Sequence, residues 1–165
     1  MENKKIVFEK KKEIKNKNFE NKKINFENFE NKKTRNYLNQ LFLNQYFDPE
    51  ISKILTTALK KKLNSYKQQD IKKNKYHSLT FITFSQLIEK LVISKLSCYY
   101  CRCEMYVIYE NVKQPDQWTL DRLNNDQGHS NENTVVSCLK CNLERRRKTA
   151  SGFKFAKQLV IKKEV

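Results

Sequence analysis

Two pairs of cysteines, each with two residues between its members, constrain this chain more than any other feature of its sequence. The first pair is Cys98 and Cys101, and the second is Cys138 and Cys141. A tight turn across such a pair lets both sulfur atoms point at a common centre, and two pairs supply the four thiolates of a tetrahedral zinc site with Zn–S distances of about 2.3 Å. The spacing therefore predicts a structural zinc ion that joins the two ends of the segment 98–141.

The fifth cysteine, Cys103, has no partner motif. Such a thiol is more often a small core residue than a metal ligand, so we expect Cys103 to lie in the core. The alternative in which the first pair of ligands shifts to Cys101 and Cys103 stays open.

The charge of the chain predicts a polyanionic partner. Lys and Arg number 34 against 18 Asp and Glu, which gives a net charge of +16. Each phosphate that a cation neutralises releases counterions, so this excess favours nucleic acid, either DNA or RNA. The most apolar run, residues 79–96, includes Glu89 and Lys90 and is too polar to span a bilayer, so no membrane partner is expected.

The N-terminal sequence predicts an intracellular protein that is not secreted. Residues 1–5 (Met-Glu-Asn-Lys-Lys) begin neither an apolar stretch nor a small-residue cleavage site. A reducing compartment keeps thiols free, which favours zinc over disulfides.

Composition divides the chain into four predicted segments. Residues 1–36 form a basic arm with recurring Phe-Glu-x-Lys-Lys units, whose apolar content is too low to offset a backbone ordering cost of about 1–2 kcal/mol per residue. We therefore expect this arm to be disordered. Residues 37–97 are predicted as a helical region that supports the rest and positions DNA, residues 98–150 as a small zinc-bound domain, and residues 151–165 as a basic extension.

Local signals predict three helices before the first cysteine pair. Apolar residues recur at helical spacing over 37–47. Asp48-Pro49-Glu50 supplies a cap and a first-turn proline for a second helix that reaches residues 60–62. Thr83 and Gln86 have the spacing of a capping box at the start of the third.

The zinc-bound segment has mainly strand signals. β-branched and aromatic residues favour short strands at 106–109, at 118–120 and around Val135 and Val136, with Trp118 in the core. A short basic helix is predicted over 142–148.

Four motifs in this region resemble the HNH nucleases over about residues 95–150. They are Leu120-Asp121-Arg122, Gly128-His129, Asn133-Thr134-Val135-Val136 and Cys138-Leu139-Lys140-Cys141-Asn142. They are most similar to the zinc-stapled HNH proteins of phages and large DNA viruses. The resemblance implies an α+β fold, in which an N-terminal helical region precedes a small zinc-stapled ββα-metal (HNH, His-Me finger) domain.

The resemblance also implies a function and a site. Asp121 and Asn142 would hold one catalytic divalent ion, Mg²⁺ or Mn²⁺, beside the structural Zn²⁺. Asn133 would brace the loop between the strands through backbone hydrogen bonds. The chain would then be a metal-dependent DNA endonuclease that hydrolyses phosphodiester bonds.

One position departs from the family pattern. Active members carry a histidine general base directly after the first metal-binding aspartate, and here that residue is Arg122. An arginine stays protonated and cannot accept a proton from water, although it could stabilise charge on a phosphate. His129, with an ordinary pKa near neutrality, or a hydroxide on the metal ion, is the expected substitute. A loop histidine bonded to backbone is an equally good interpretation of His129.

A basic run after the second cysteine pair is predicted to contact phosphate. Its members are Arg145, Arg146, Arg147 and Lys148. Guanidinium groups suit phosphate oxygens, while a solvated charged surface is the ordinary alternative.

Two functional classes remain open from the sequence. One is the endonuclease, and the other is a zinc-stapled finger that binds nucleic acid without cutting it. They differ in whether Asp121 and Asn142 bind a divalent ion, since Asp121 could instead cap a turn and Asn142 could cap a helix.

Overall fold

The computed structural model describes residues 24–160. The described elements are five α-helices and a two-stranded antiparallel sheet, so the fold is of the mixed α+β class. In chain order they are α1 (Asn31–Phe42), α2 (Pro49–Lys72), α3 (Phe84–Ser94), β1 (Trp118–Arg122), β2 (Thr134–Cys138), α4 (Leu139–Arg145) and α5 (Ala150–Gln158).

Helical structure begins inside the segment that was predicted to be a disordered arm. A 3₁₀ turn covers Phe26–Phe29, and α1 follows and packs against α3. Phe29 is only 3% exposed, and the buried Thr34 hydroxyl donates to its carbonyl oxygen at 2.8 Å. The prediction is wrong for residues 26–36, because a packing partner supplies the apolar surface that their composition lacks. Residues 1–23 of the predicted arm lie outside the described residues.

The second and third helices begin where the sequence places them. The Asp48 carboxylate accepts the backbone N–H groups of Glu50 and Ile51 at 2.8 and 3.0 Å, and Thr83 forms the predicted capping box. However, α2 continues to Lys72, well beyond residues 60–62. Its second half keeps an inner face, because Tyr66 and Asp70 are both buried.

A hairpin and a helix follow in the C-terminal half. β1 pairs antiparallel with β2 in a register that runs from Trp118 opposite Cys138 to Arg122 opposite Thr134. The predicted strand at 106–109 is wrong, because this stretch makes only one isolated bridge, between Tyr106 and Gln117. Its apolar composition instead reflects burial of Val107 and other side chains in the core.

The last two helices also differ from the prediction. α4 begins at Leu139 and ends at Arg145, because Arg146 has a φ of 50° that a continuing helix does not allow. Residues 151–158 of the predicted basic extension belong to α5. Its buried Phe153 packs edge-on against the Tyr100 ring at a centroid distance of 5.1 Å.

One hydrophobic core connects the helices and the hairpin. Leu55 and Leu59 of α2 belong to the same buried cluster as Trp118 and Leu120 of β1. The helical region and the hairpin therefore share their packing. Among the helices of residues 24–160, none has the length and apolar content that crossing a membrane requires.

Candidate functional site

A cluster of cysteine sulfurs joins residues 98–103, which precede β1, to Cys138 at the end of β2. The Sγ atoms of Cys98, Cys101, Cys103 and Cys138 all lie within 4.8 Å of one another. The Sγ atoms of Cys101 and Cys138 are 3.9 Å apart, which is close to the sulfur–sulfur edge of about 3.8 Å in a tetrahedral site with Zn–S bonds of about 2.3 Å. The donor set and its spacing therefore fit a metal ion such as zinc.

Backbone N–H groups stabilise negative charge on two of these sulfurs. Cys98 Sγ accepts the N–H of Cys138 at 3.3 Å, and Cys138 Sγ accepts the N–H of Cys141 at 3.4 Å. The Cys138 thiol, together with backbone N–H groups, lowers the pKa of Cys98 to about 4. Burial, followed by interactions with neighbouring sulfurs, raises the pKa of Cys103 and of Cys141 to about 12. Burial and the neighbouring sulfurs thus oppose negative charge on Cys103 and Cys141, and a bound cation would offset this effect.

Three of the four predicted zinc cysteines, Cys98, Cys101 and Cys138, belong to this group of four, and its fourth member is Cys103 in place of the predicted Cys141. Cys141 interacts with the thiols of Cys101 and Cys138. Cys103 was expected in the core, but it is exposed. The N-cap of α4 is Cys138, so the capping role considered for Asn142 is not the one observed.

The predicted metal ligand Asp121 forms a buried ion pair. Its side chain is at the end of β1, and the residue is 4% exposed. Arg145 Nε donates to Asp121 Oδ2 at 2.5 Å and Arg145 Nη2 donates to Oδ1 at 2.8 Å. The Tyr100 hydroxyl adds a third bond, to Oδ2 at 2.6 Å, and burial together with this bond raises the pKa of Tyr100. Both carboxylate oxygens are therefore satisfied inside the protein.

Arg145 is not the surface cation that the sequence predicted. It is 2% exposed, and its bond to Asp121 raises its pKa further. The guanidinium also donates to the carbonyl oxygens of Arg122 and Lys148 at 2.5 and 2.8 Å and to Asn125 Oδ1 at 3.1 Å. This correction leaves the exposed residues 146–148 as the part of the basic run that faces solvent.

Asn142 lies on the same face of β1 as Asp121. Its Nδ2 donates to Thr119 Oγ1 at 3.0 Å and to the Leu120 carbonyl at 3.4 Å. Side chains two apart on a strand share a face, so Thr119 and Asp121 both point toward α4. α4 crosses this face with Asn142 beside Thr119 and Arg145 beside Asp121.

These contacts do not fit a divalent ion between Asp121 and Asn142. Mg²⁺ requires oxygen ligands at about 2.0–2.1 Å in near-octahedral geometry. Here the only carboxylate of the pair is neutralised by Arg145. An ion at this place would have to displace the guanidinium.

His129, the predicted substitute base, is buried and hydrogen-bonded in the protein interior. It is 4% exposed, its Nδ1 is 2.8 Å from Asp70 Oδ1, and its backbone N–H donates to Asp70 Oδ2 at 2.6 Å. Its ring is 4.8 Å from the Tyr66 ring. Burial lowers the pKa of His129, and the neighbouring Asp70 opposes this effect only in part. His129 therefore has little access to bulk water.

The remaining two predicted residues order the loop between the strands. Asn133 Nδ2 donates to the carbonyls of Asn124 and Gly128, both at 2.9 Å, and its Oδ1 accepts the Asn124 N–H at 2.8 Å. Arg122 Nη1 donates to the Gln127 carbonyl at 3.1 Å and lies 4.0 Å from Asp70 Oδ1.

Sequence reasoning missed three α2 residues that contact the hairpin, namely Lys62, Tyr66 and Asp70, which we name the α2 polar stripe. Lys62 Nζ donates to the Trp118 carbonyl, and burial lowers its pKa to about 7. Tyr66 Oη accepts the Leu120 N–H at 3.0 Å. The spacing of four residues places all three side chains on one helix face, a signal that becomes visible only if α2 extends to Lys72.

Comparison of the chain with protein-family models, with curated proteins and with solved structures finds no match in any of the three.

Proposed function

We propose that residues 98–150 form a zinc-stapled, HNH-like finger that binds DNA. Three features support this proposal. β1, β2 and α4 follow one another in the order of a ββα unit, the cysteine cluster joins residues 98–103 to the junction between β2 and α4, and the chain carries a net charge of +16. Zinc held by four thiolates would fix the ends of the finger and supply folding free energy without taking part in chemistry.

The geometry supports DNA binding without DNA cleavage better than it supports cleavage. The ion pair between Asp121 and Arg145 carries this conclusion, because it occupies the only carboxylate that the resemblance assigns to a catalytic metal. Arg122 cannot act as a base, and His129 is buried against Asp70. Each residue of the predicted catalytic set therefore has a structural partner inside the protein.

The exposed basic residues are the proposed DNA contacts. Arg146, Arg147 and Lys148 lie directly after α4 and face solvent. Each contact with a phosphate would add about 0.9 to the slope of log K against log salt concentration. Arg147→Ala should reduce that slope by about one in a fluorescence-anisotropy titration, whereas Arg145→Ala is expected to act through stability instead. An unchanged slope in Arg147→Ala would remove residue 147 from the interface.

A metal-dependent DNA endonuclease is the second candidate. It is favoured by one observation, which is that α4 places Asn142 on the β1 face that carries Asp121. With Mg²⁺ or Mn²⁺ on these two residues, the ion would supply charge stabilisation at the scissile phosphate. The Asp121–Arg145 pair would have to open before that ion binds.

One experiment separates the two candidates. Zinc-loaded protein is incubated with supercoiled plasmid and with single-stranded DNA, in Mg²⁺, Mn²⁺ or EDTA, beside Asp121→Ala and Asn142→Ala. The non-cutting finger predicts a shifted complex and intact DNA in every metal. Metal-dependent nicking that is lost in both variants would establish the endonuclease instead, and absence of any DNA binding would refute both.

A further inference from the structure

The thiols of Cys103 and Cys141 both lie beside the sulfurs of Cys101 and Cys138. The Sγ atom of Cys103 lies within 4.8 Å of those of Cys98, Cys101 and Cys138, and the Cys141 thiol also interacts with those of Cys101 and Cys138. Cys98 Sγ accepts the Cys138 N–H at 3.3 Å. Three cysteines are thus common to any four-sulfur set at this centre, and the fourth place has two candidates.

Backbone pairing holds Cys103 at the cluster. The Cys98 N–H donates to the Cys103 carbonyl at 2.9 Å, and an isolated bridge joins Ser97 to Glu104. Arg102, the residue before it, turns the chain with a φ of 64°. The backbone turn between Cys98 and Cys103 therefore fixes the position of Cys103. This position does not depend only on the rotamer of one exposed side chain.

The two candidates differ in their surroundings. Cys141 is 1% exposed and lies in the first turn of α4, whereas Cys103 faces solvent. Zinc has no geometric preference from its d electrons and is bound by four ligands in structural sites, so five thiols exceed what one ion takes at a time.

We propose that Cys103 is a fifth zinc thiolate, which shares the fourth ligand position with Cys141 while Cys98, Cys101 and Cys138 hold the other three. Loss of either Cys103 or Cys141 then leaves a complete set of four thiolates. The solvent-facing Cys103 also gives the centre a ligand that approaches from outside the fold.

Cobalt substitution of single variants tests the proposal. Co²⁺ reports its ligands directly, because its visible absorption and sulfur-to-metal charge-transfer bands distinguish four thiolates from three. Cys103→Ser and Cys141→Ser should each keep the four-thiolate spectrum of the unmodified chain, and the double variant Cys103→Ser/Cys141→Ser should lose it. A three-thiolate spectrum in Cys141→Ser, or failure of that variant to bind Co²⁺, overturns the proposal because Cys103 then cannot replace Cys141. A three-thiolate spectrum in Cys103→Ser also overturns the proposal, because Cys141 then cannot replace Cys103.

Alkylation gives an independent readout on the zinc-loaded protein. In Cys141→Ser, iodoacetamide should leave Cys103 unmodified until a chelator removes zinc, although this thiol is exposed. Modification of Cys103 at the same rate before and after chelation overturns the proposal, whatever the protein does to DNA.

Discussion

Arg145→Ala should be among the most destabilising single substitutions in the described part of the chain. The side chains of Asp121 and Arg145 are 5% and 3% exposed, so removal of the guanidinium leaves a carboxylate in the interior without its counter-charge. Breaking a buried pair in this way costs about 3–5 kcal/mol. The bond from Tyr100 remains and places the expected cost near the lower limit, at about 3 kcal/mol. Because native proteins are stable by only about 5–15 kcal/mol, this loss is large.

Urea unfolding of the zinc-loaded protein measures this cost. Arg147→Ala is the matched control, since it removes an exposed arginine of the same basic run and should change the free energy of unfolding by about 0.5 kcal/mol or less. Asp121→Asn and the double variant complete a thermodynamic cycle, in which the coupling energy between residues 121 and 145 should exceed about 1 kcal/mol. A cost below about 1 kcal/mol for Arg145→Ala would refute the buried pair and restore Arg145 as a free surface cation.

Three further outcomes are expected. Burial lowers the pKa of His129 below its ordinary 6.5, so the folded state binds fewer protons than the unfolded state. The free energy of unfolding should therefore fall as the pH drops below about 6.5, and His129→Gln should reduce this slope in urea unfolding. Gly128→Ala should cost about 1–3 kcal/mol in urea unfolding, because a Cβ would collide with the Lys75 carbonyl and lie 2.9 Å from Asp70 Oδ2, whereas Gly152→Ala meets only the Thr149 hydroxyl and should cost less. Removal of zinc by a chelator should lower the melting temperature seen by circular dichroism, and an unchanged melting temperature would contradict a structural metal.

Three signals that act over a few residues agree with the structure, although the strand predicted from local composition at 106–109 does not. The Asp48 cap, the Thr83 capping box and the β-branched residues of β2 each report a local backbone preference. The C-x-x-C spacing was similarly informative, because it fixes a tight turn in which Cys138 Sγ accepts the Cys141 N–H. Such features need no knowledge of the rest of the fold.

Features that depend on distant partners were not predicted. Asp70 and His129 are separated by 59 positions, and nothing local to either residue indicates the other. The burial of Arg145 did leave a signal, since residues 138, 141 and 145 follow helical spacing and place the arginine on the cysteine-bearing side of α4. All four residues of the run 145–148 are basic, so composition alone predicts a solvated surface there. It does not indicate that Arg145 points inward.

The α2 polar stripe gives a structural explanation for hairpin residues that the sequence assigned to a catalytic site. Tyr66 accepts a backbone N–H of β1, and Asp70 accepts both the ring and the backbone N–H of His129. These bonds satisfy polar groups that would be costly to leave unpaired in the core, as Arg145 does for Asp121. Internal bonding is therefore sufficient to explain each of these residue types at its position. A direct Mn²⁺ titration of the unmodified chain and of Arg145→Ala distinguishes a structural role of Asp121 from a catalytic one. The structural explanation predicts Mn²⁺ binding only after the guanidinium is removed. A catalytic site predicts Mn²⁺ binding with Arg145 in place.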